Sequence, residues 1–543
     1  MVFARRSTTL LAAIIASCAM VLSLTACTSD NKTVVDGQTT VTSNSAGGVA
    51  VFTPSDGITL NQQMPLNKWA KLVPDLTKAL VDAGFKKGDI NHTTSDSLDK
   101  QSRAIQDFVV DHLSNNTTDD SGIAIAPDNM TLLVAPVVEA DASTRQYGDY
   151  VSQNPSTNGV TDEGATSDGE SSEDDSSKDD SSNTESDSTA SDEQAQAVDR
   201  LVSSLKLAKE SGMHVVLLGN SIEGYKPDAF VKFSDAQTIG KLQAEKMVSK
   251  LKLDKASKDN PKYIEVLLPY TAMDEKGNAN DSTFAQEAFR GIWQVLGSYY
   301  QKGVVESPSG TLDGKSTEND WQAVAYDAAK EGSTAKVLDK RLAKTDGQST
   351  LTRIDGIITM NDYIASEVVK ELDDLGYTGS AADINPQITI SGIVGNITGK
   401  KDLSRDAVPD PIKSPENDNA NDSSSSDDDA DKDTSASDKD RDSQWPLVTG
   451  YGAYVSNIPS IVNGKQWMTG MEDRQTIATD IAQACAKLNK DEALNSMPSI
   501  RNSEVGGVKK IPTISEPLLA VSASNLKSAL IDPGYISLAD AGL

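Results

Sequence analysis

A chain that makes and breaks bonds, or holds a metal, usually declares it in its cysteines and histidines. Here there are three of each in 543 residues: Cys18, Cys27 and Cys485, and His92, His112 and His214. No C-x-x-C or H-E-x-x-H spacing occurs, so neither a structural zinc site nor a zincin site can be assembled. Ser203-x-x-Lys206 has the spacing used by penicillin-binding enzymes, but it lies in a plain amphipathic helix and no Lys-Thr-Gly completes the set. Gly219-Asn220-Ser221 does not continue into a nucleophile elbow, because Glu223 stands where the second glycine belongs. Gly392, Gly395 and Gly399-Lys400 miss the P-loop spacing, and Lys401 replaces its Ser/Thr. Cys485, alone on an apolar helix face, reads as a small buried hydrophobe. The expectation is no catalytic residue, no metal and no cofactor. What remains is non-covalent binding.

The charge narrows the partners. The net charge is −30, from 50 basic and 80 acidic side chains. Residues 161–195 hold 13 acids and one lysine, and residues 414–443 hold 11 acids and three basic residues, so −20 of the −30 falls in two short stretches. Phosphate-rich partners would be repelled, which argues against nucleic acid. Both stretches, about 155–195 and about 413–444, lack the aliphatic and aromatic residues that offset the entropy of ordering, and are expected to be disordered inserts.

The elements between them alternate. Met130 to Ala135 and Val215 to Leu218 read as buried strands, while Leu66 to Ala83, Asp99 to Leu113 and Ala195 to Ser211 show helical spacing. A second series follows. It has helices at Ala236 to Leu251, Thr283 to Tyr300, Trp321 to Leu342, Asp362 to Leu375 and Asp473 to Asn489. Its strands are Tyr263 to Leu268, Gly303 to Val305, Ile354 to Thr359, Gln387 to Ser391 and Pro446 to Thr449, with a β-like run at Ile514 to Val521. Such alternation predicts an α/β protein of two doubly wound parallel-sheet lobes.

At the amino terminus, Arg5 and Arg6 precede an apolar run from Leu10 to Leu24 that is too short for a comfortable membrane span. Leu24-Thr25-Ala26-Cys27 resembles a bacterial lipobox. The resemblance implies a signal peptide over residues 1–26, lipid on Cys27, and a protein anchored to the membrane on its outer face. Residues 27–48, rich in Ser, Thr, Asn and Gly, read as a flexible tether.

The order of segments then becomes recognisable. Phe233-Ser234-Asp235-Ala236-Gln237, Asp355-Gly356-Ile357-Ile358-Thr359-Met360-Asn361-Asp362, Pro446-Leu447-Val448-Thr449-Gly450, Gly464-Lys465-Gln466-Trp467-Met468-Thr469 and Glu516-Pro517-Leu518-Leu519 with Asn525 stand in sequence. Together they resemble the type I periplasmic binding proteins, especially the sugar-binding lipoproteins of ABC transporters for xylose and multiple monosaccharides. The family implies two lobes joined by a three-segment hinge. Residues 49–225 and 470–512 would form the first lobe, and residues 226–469 and 513–543 the second. The crossings would lie near 220–230, 467–471 and 512–516. It also implies a monomer that closes on a small-molecule ligand, most simply a sugar, and passes it to an ABC permease.

Carried over residue by residue, Lys68 stands in the place of the family's arginine with Trp69 after it, Asp235 matches the Asp of a Phe-Asp-Asn string, and Asn361 and Asp362 match an Asn-Asp pair. Asn220 and Tyr451 occupy positions where the family has Asp-Arg and Gln-Asp. These seven are the expected ligand contacts. Four have a plainer reading beside them: Trp69 as a core residue, and Asp235, Asn361 and Asp362 as caps of the helices they precede. An arginine's five-donor fork is not reproduced by lysine or asparagine, so the departures imply a changed ligand or none. The alternative is a sensor or surface interaction module that keeps the fold without transport.

Overall fold

The computed structural model describes residues 34–35, 38–39, 46–55, 65–115, 125–138, 144–151, 184–273, 280–343, 351–381 and 445–543. The signal segment, Cys27, the predicted strand at Gln387 to Ser391, residues 392–413 and the second acidic stretch lie outside these residues, as does the first acidic stretch up to residue 183. The expected tether contains a short antiparallel pair, Val34–Val35 with Gln38–Thr39, inside the unit Met1–Ser45. Everything below concerns the unit Ala46–Leu543.

Its first half runs β1 (Gly48–Pro54), α1 (Trp69–Asp82), β2 (Ile90–Ser95), α2 (Leu98–Asn115), β3 (Met130–Val134), α3 (Thr184–Glu210), β4 (His214–Leu218) and β5 (Ala229–Lys232). The second half runs α4 (Ala236–Leu251), β6 (Lys262–Val266), α5 (Thr283–Gln301), β7 (Val305–Glu306), α6 (Ser333–Arg341), β8 (Gly356–Ile358), α7 (Asp362–Asp374), β9 (Leu447–Tyr451) and β10 (Met468–Met471). The chain then returns through α8 (Arg474–Leu488), β11 (Ile500–Val505) and β12 (Val508–Ser515), and ends beyond β13 (Leu519–Ser522).

Two sheets result. The first has order β11-β12-β5-β4-β3-β1-β2 and is parallel except for the β11–β12 hairpin. The second has order β7-β6-β8-β9-β10-β13 and is parallel except for β13. Within each, the first five strands follow the same 2-1-3-4-5 order. That order creates a switch point between the first and third strands, beyond whose carboxyl ends open α/β sheets bind ligands.

The sheets are central layers because their strands are apolar on both faces. In β1, Val49 and Val51 enter a core shared with Leu72, Leu76 and Leu80 of α1 and Ile477 and Ile481 of α8. Ala50 and Phe52 enter the opposite core, with Ile105 and Val109 of α2 and Leu201 and Leu205 of α3. This is the two-residue period of a strand covered on both sides. The second sheet repeats the plan, with α4 and α5 on one face and α6 and α7 on the other.

The chain passes between sheets three times: after Lys232, after Met471 and after Ser515. The sequence-based boundaries shift accordingly. Residues 229–232 belong to the first sheet, because Ala229–Val231 pairs in parallel with Val216–Leu218, and the first crossing falls at Phe233–Asp235. Strand β12 keeps residues 513–515 in the first sheet too.

Three elements differ from expectation. The predicted helix 321–342 is broken: Ala325–Tyr326 turns extended to pair with Leu268–Pro269, and Gly332, at φ 70°, precedes the helix restarted at Ser333. The β-like run 514–521 is two strands in different sheets. Helix α3 begins at Thr184, inside the first acidic stretch, rather than at the expected Ala195.

Candidate functional site

The carboxyl ends of the two sheets converge, and the loops leaving them carry the polar groups. On the first lobe, Lys68 precedes α1, Asn220 follows β4, and Ser234 and Asp235 follow β5. On the second, Asn361 and Asp362 follow β8, Tyr451 ends β9 and Glu472 follows β10. The lobes are stitched here by the Leu66 amide, which donates to the Gly452 carbonyl at 2.8 Å. The Ser234 and Tyr451 hydroxyls add a bond at 2.5 Å.

Trp69 is 3% exposed and packs edge-on against Tyr150 and Phe233, with centroids 5.1 and 5.7 Å away, while Tyr150 stacks on Phe233 at 4.9 Å. Its ring is part of the first sheet's core. Lys68 is one-fifth exposed and its Nζ lies 2.7 Å from Asp149 Oδ1. The other Asp149 oxygen accepts from the Trp69 amide at 3.0 Å and caps the start of α1. Asn220 is buried and donates from Nδ2 to the Pro136 carbonyl.

Asp235 caps α4, with Oδ1 accepting from the Thr238 amide at 2.7 Å and the Thr238 hydroxyl at 2.6 Å, while Oδ2 pairs with Lys232. Burial works against its charge, but Thr238 and Lys232 hold the carboxyl below its usual range. Asn361 caps α7 through Oδ1, which accepts from the Ile364 amide at 2.9 Å, and turns Nδ2 to Gln146 Oε1, on the segment that follows β3, at 3.0 Å.

Asp362 is wholly buried. Its oxygens accept from Gln466 Nε2 at 2.7 Å, the Tyr454 amide at 2.9 Å and the Thr469 hydroxyl at 2.9 Å. Burial pushes its pKa up to about 6, with those three donors pulling the other way. The site leaves no room beside it, since a Cβ on Gly450 would fall 2.2 Å from Asp362 Oδ1. Asp362 therefore ties β8, β9 and β10 together from within the second lobe.

Tyr451 is likewise buried, its hydroxyl against Ser234 and drawn toward Glu472, and burial raises its pKa well above the ordinary value. Glu472, 1% exposed, accepts from the Ser234 amide at 2.6 Å; burial pushes its carboxyl up to about 7. Ser234 and Glu472 sit on two of the three crossings, so this carboxylate ties one crossing to another.

The structure brings Lys68, Asn361 and Tyr451 to the convergence, each with a partner from elsewhere in the chain, and sets Trp69 and Asp362 behind it. It also adds residues that no sequence pattern marks: Asn67, Gln146, Asp149 and Glu472. Asn67 is buried, and its Nδ2 has no hydrogen-bond partner among the described residues. Glu472 stands one residue beyond the predicted crossing 467–471, which is the available signal for it. Gln146 and Asp149 lie in a stretch without periodicity. No group of three or more His, Cys, Asp or Glu able to hold a metal occurs among the described residues, and no helix there is long and apolar enough to cross a membrane.

No protein-family model and no curated protein matches the chain. Solved structures do. An ABC transporter solute-binding protein from Clostridium phytofermentans with bound β-D-glucose is 16% identical, with a TM-score of 0.44 over 91% of this chain and 99% of its own. A carbohydrate transporter solute-binding protein from Chloroflexus aurantiacus in complex with D-glucose is 18% identical, with a TM-score of 0.43 over 92% and 98%. An ABC transporter periplasmic solute-binding protein from Actinobacillus succinogenes with bound D-allose is 9% identical, with a TM-score of 0.40 over 89% and 99%.

Proposed function

We propose that this chain is an extracytoplasmic solute-binding lipoprotein, held to the membrane through Cys27, that captures a small polar solute between its lobes and delivers it to an ABC permease. A carbohydrate is the leading solute class. The observation that carries the reading is the convergence, at their carboxyl ends, of two sheets whose first five strands share one order, with three crossings behind them. That arrangement makes a hinged cleft lined from both sides. Lysine, amide and hydroxyl groups at the convergence are the donors and acceptors that pair with sugar hydroxyls. Lys68, Asn361 and the unpaired amide of Asn67 are the proposed contacts, with Asn220, Asp235 and Tyr451 bordering them and Trp69 and Asp362 supporting the floor.

Thermal unfolding of the full chain against mono- and oligosaccharides tests this, with nucleosides and amino acids as comparison. A ligand at 100 times its dissociation constant adds about 2.7 kcal/mol to stability. A saturable rise with one sugar class is expected, and Asn361→Ala should abolish it. A rise with amino acids or nucleosides alone would overturn the carbohydrate assignment. One observation favours the rival reading, a module that keeps the fold without transport: the cleft already contains part of the chain.

A further inference from the structure

Residues 144–151 leave the first lobe after β3, yet their side chains are divided between both lobes. Tyr147 and Val151 belong to the apolar core of the second sheet, with the Tyr147 ring 4.6 Å from Phe284 and 6.3 Å from Tyr451. Tyr150 belongs to the core of the first and reaches the Lys68 carbonyl with its hydroxyl. Between them the polar groups alternate in the same way. Gln146 accepts from Asn361 Nδ2 through its side chain, and from the Tyr454 hydroxyl at 2.7 Å through its carbonyl. Asp149 accepts from Lys68 and from the Trp69 amide.

The backbone permits this at one residue. Gly148 stands at φ 96°, and a Cβ there would lie 2.6 Å from the Asn67 carbonyl, which accepts from the Asp149 amide at 2.8 Å. Any larger residue would be strained in conformation and would collide with fixed backbone. The segment therefore offers an amide oxygen to Asn361, a carboxylate to Lys68 and a ring to the second lobe's apolar wall. Each of these takes up a donor or an apolar surface that a polar solute would otherwise have to engage.

We propose that Gln146–Tyr150 is a tethered internal occupant of the cleft, which bridges the lobes in the absence of solute and must leave before a polar solute can engage Lys68 and Asn361. The second clause rests on the solute-binding reading; the first does not. A competitor of this kind lowers apparent affinity by the fraction of time the cleft is vacant, so occupancy for about 99% of the time weakens binding about 100-fold.

Hydrogen–deuterium exchange by mass spectrometry on the full chain in mild detergent tests both clauses. It compares wild type with Gln146→Ala/Tyr147→Ala and with Gly148→Ala, each with and without saturating D-glucose. In wild type without sugar, peptides covering 144–151 and 65–69 are expected to be protected. Both variants should exchange there about tenfold faster, as local opening predicts, while α2 and the core of α4 stay unchanged and report an intact fold. Unprotected 144–151 in wild type, or variants that exchange like wild type at 65–69, would overturn the proposal. Glucose that protects 360–364 while releasing 144–151 supports occupant and solute reading together. Faster exchange in the variants with no response to glucose keeps the occupant and overturns displacement by glucose. Glucose that protects 360–364 and leaves 144–151 protected shows the two bound side by side, and overturns displacement. If the double variant unfolds, Gly148→Ala and the wild-type sugar arm still decide.

Discussion

Asn361 faces two ways with one amide: its Oδ1 caps α7 on the Ile364 amide, and its Nδ2 donates across the cleft to Gln146. The two roles separate by substitution. Asn361→Asp keeps a capping oxygen and loses the cross-cleft donor, whereas Asn361→Ala loses both. The alanine variant is expected to lose about 1–2 kcal/mol of stability. The aspartate variant should retain most of the capping part while exchanging faster at 144–151. Urea midpoints check the first statement and exchange rates the second; equal losses in both variants would remove the cross-cleft role.

Glu472 should leave a pH signature. Its folded pKa is about 7 against an ordinary 4.5, so the native state holds this proton more tightly than the unfolded chain does. The contribution is complete below about pH 4.5 and is lost as pH rises toward 7. Each tenfold difference in proton affinity between the folded and unfolded states is worth about 1.4 kcal/mol. Glu472→Gln removes that slope. Urea unfolding at pH 4.5, 5.5 and 7 should therefore show wild type losing ground to the variant as pH rises. Parallel profiles would show that the carboxyl is not titrating at this crossing.

Gly450 has no space for a side chain. Gly450→Ala would press a methyl against the Asp362 carboxylate and displace the Gln466 amide, which a Cβ there would approach to 2.8 Å. A loss of about 1–3 kcal/mol is expected, as for other overpacked sites. Asp362→Asn should also destabilise, because one carboxamide oxygen cannot serve donors placed around both oxygens. Denaturant titration of both variants is the check.

Trp69 supports the floor of the cleft through Tyr150 and Phe233. Trp69→Ala should cost about 3–5 kcal/mol, the range for deleting a large buried aromatic. Trp69→Phe should cost clearly less while keeping an edge-on contact. Near-ultraviolet circular dichroism with urea unfolding distinguishes this from a surface ligand contact, whose removal would leave stability almost unchanged.

Where the sequence carries a continuous apolar run, as in β1, β3 and β4, the strand follows directly, because a strand covered on both faces has to be apolar throughout. Strand β2 is illegible for the converse reason. Its residues, Ile-Asn-His-Thr-Thr-Ser, line a largely exposed sheet edge and show no apolar alternation. The β11–β12 hairpin escapes a reading by pattern because its outer residues, Arg501, Lys509 and Lys510, read as loop. At the site, Asn361 and Asp235 are legible through their motifs, and both cap the helices they precede, as their plainer reading expects. Gln146 and Asp149 are invisible, since their role arises from tertiary placement around a single glycine.

The helix starts around the cleft share a further property. Asp149 serves the Trp69 amide at the start of α1, and Asp235, Asn361 and Asp473 serve Thr238, Ile364 and Thr476 at the starts of α4, α7 and α8. An open helix start attracts anions, because its unpaired amides carry partial positive charge. Here each start is already answered by an oxygen of the chain, and three of the four oxygens belong to carboxylates. At α4, α7 and α8 the helix dipole is answered within the fold, while at α1 the answering carboxylate, Asp149, also neutralises Lys68.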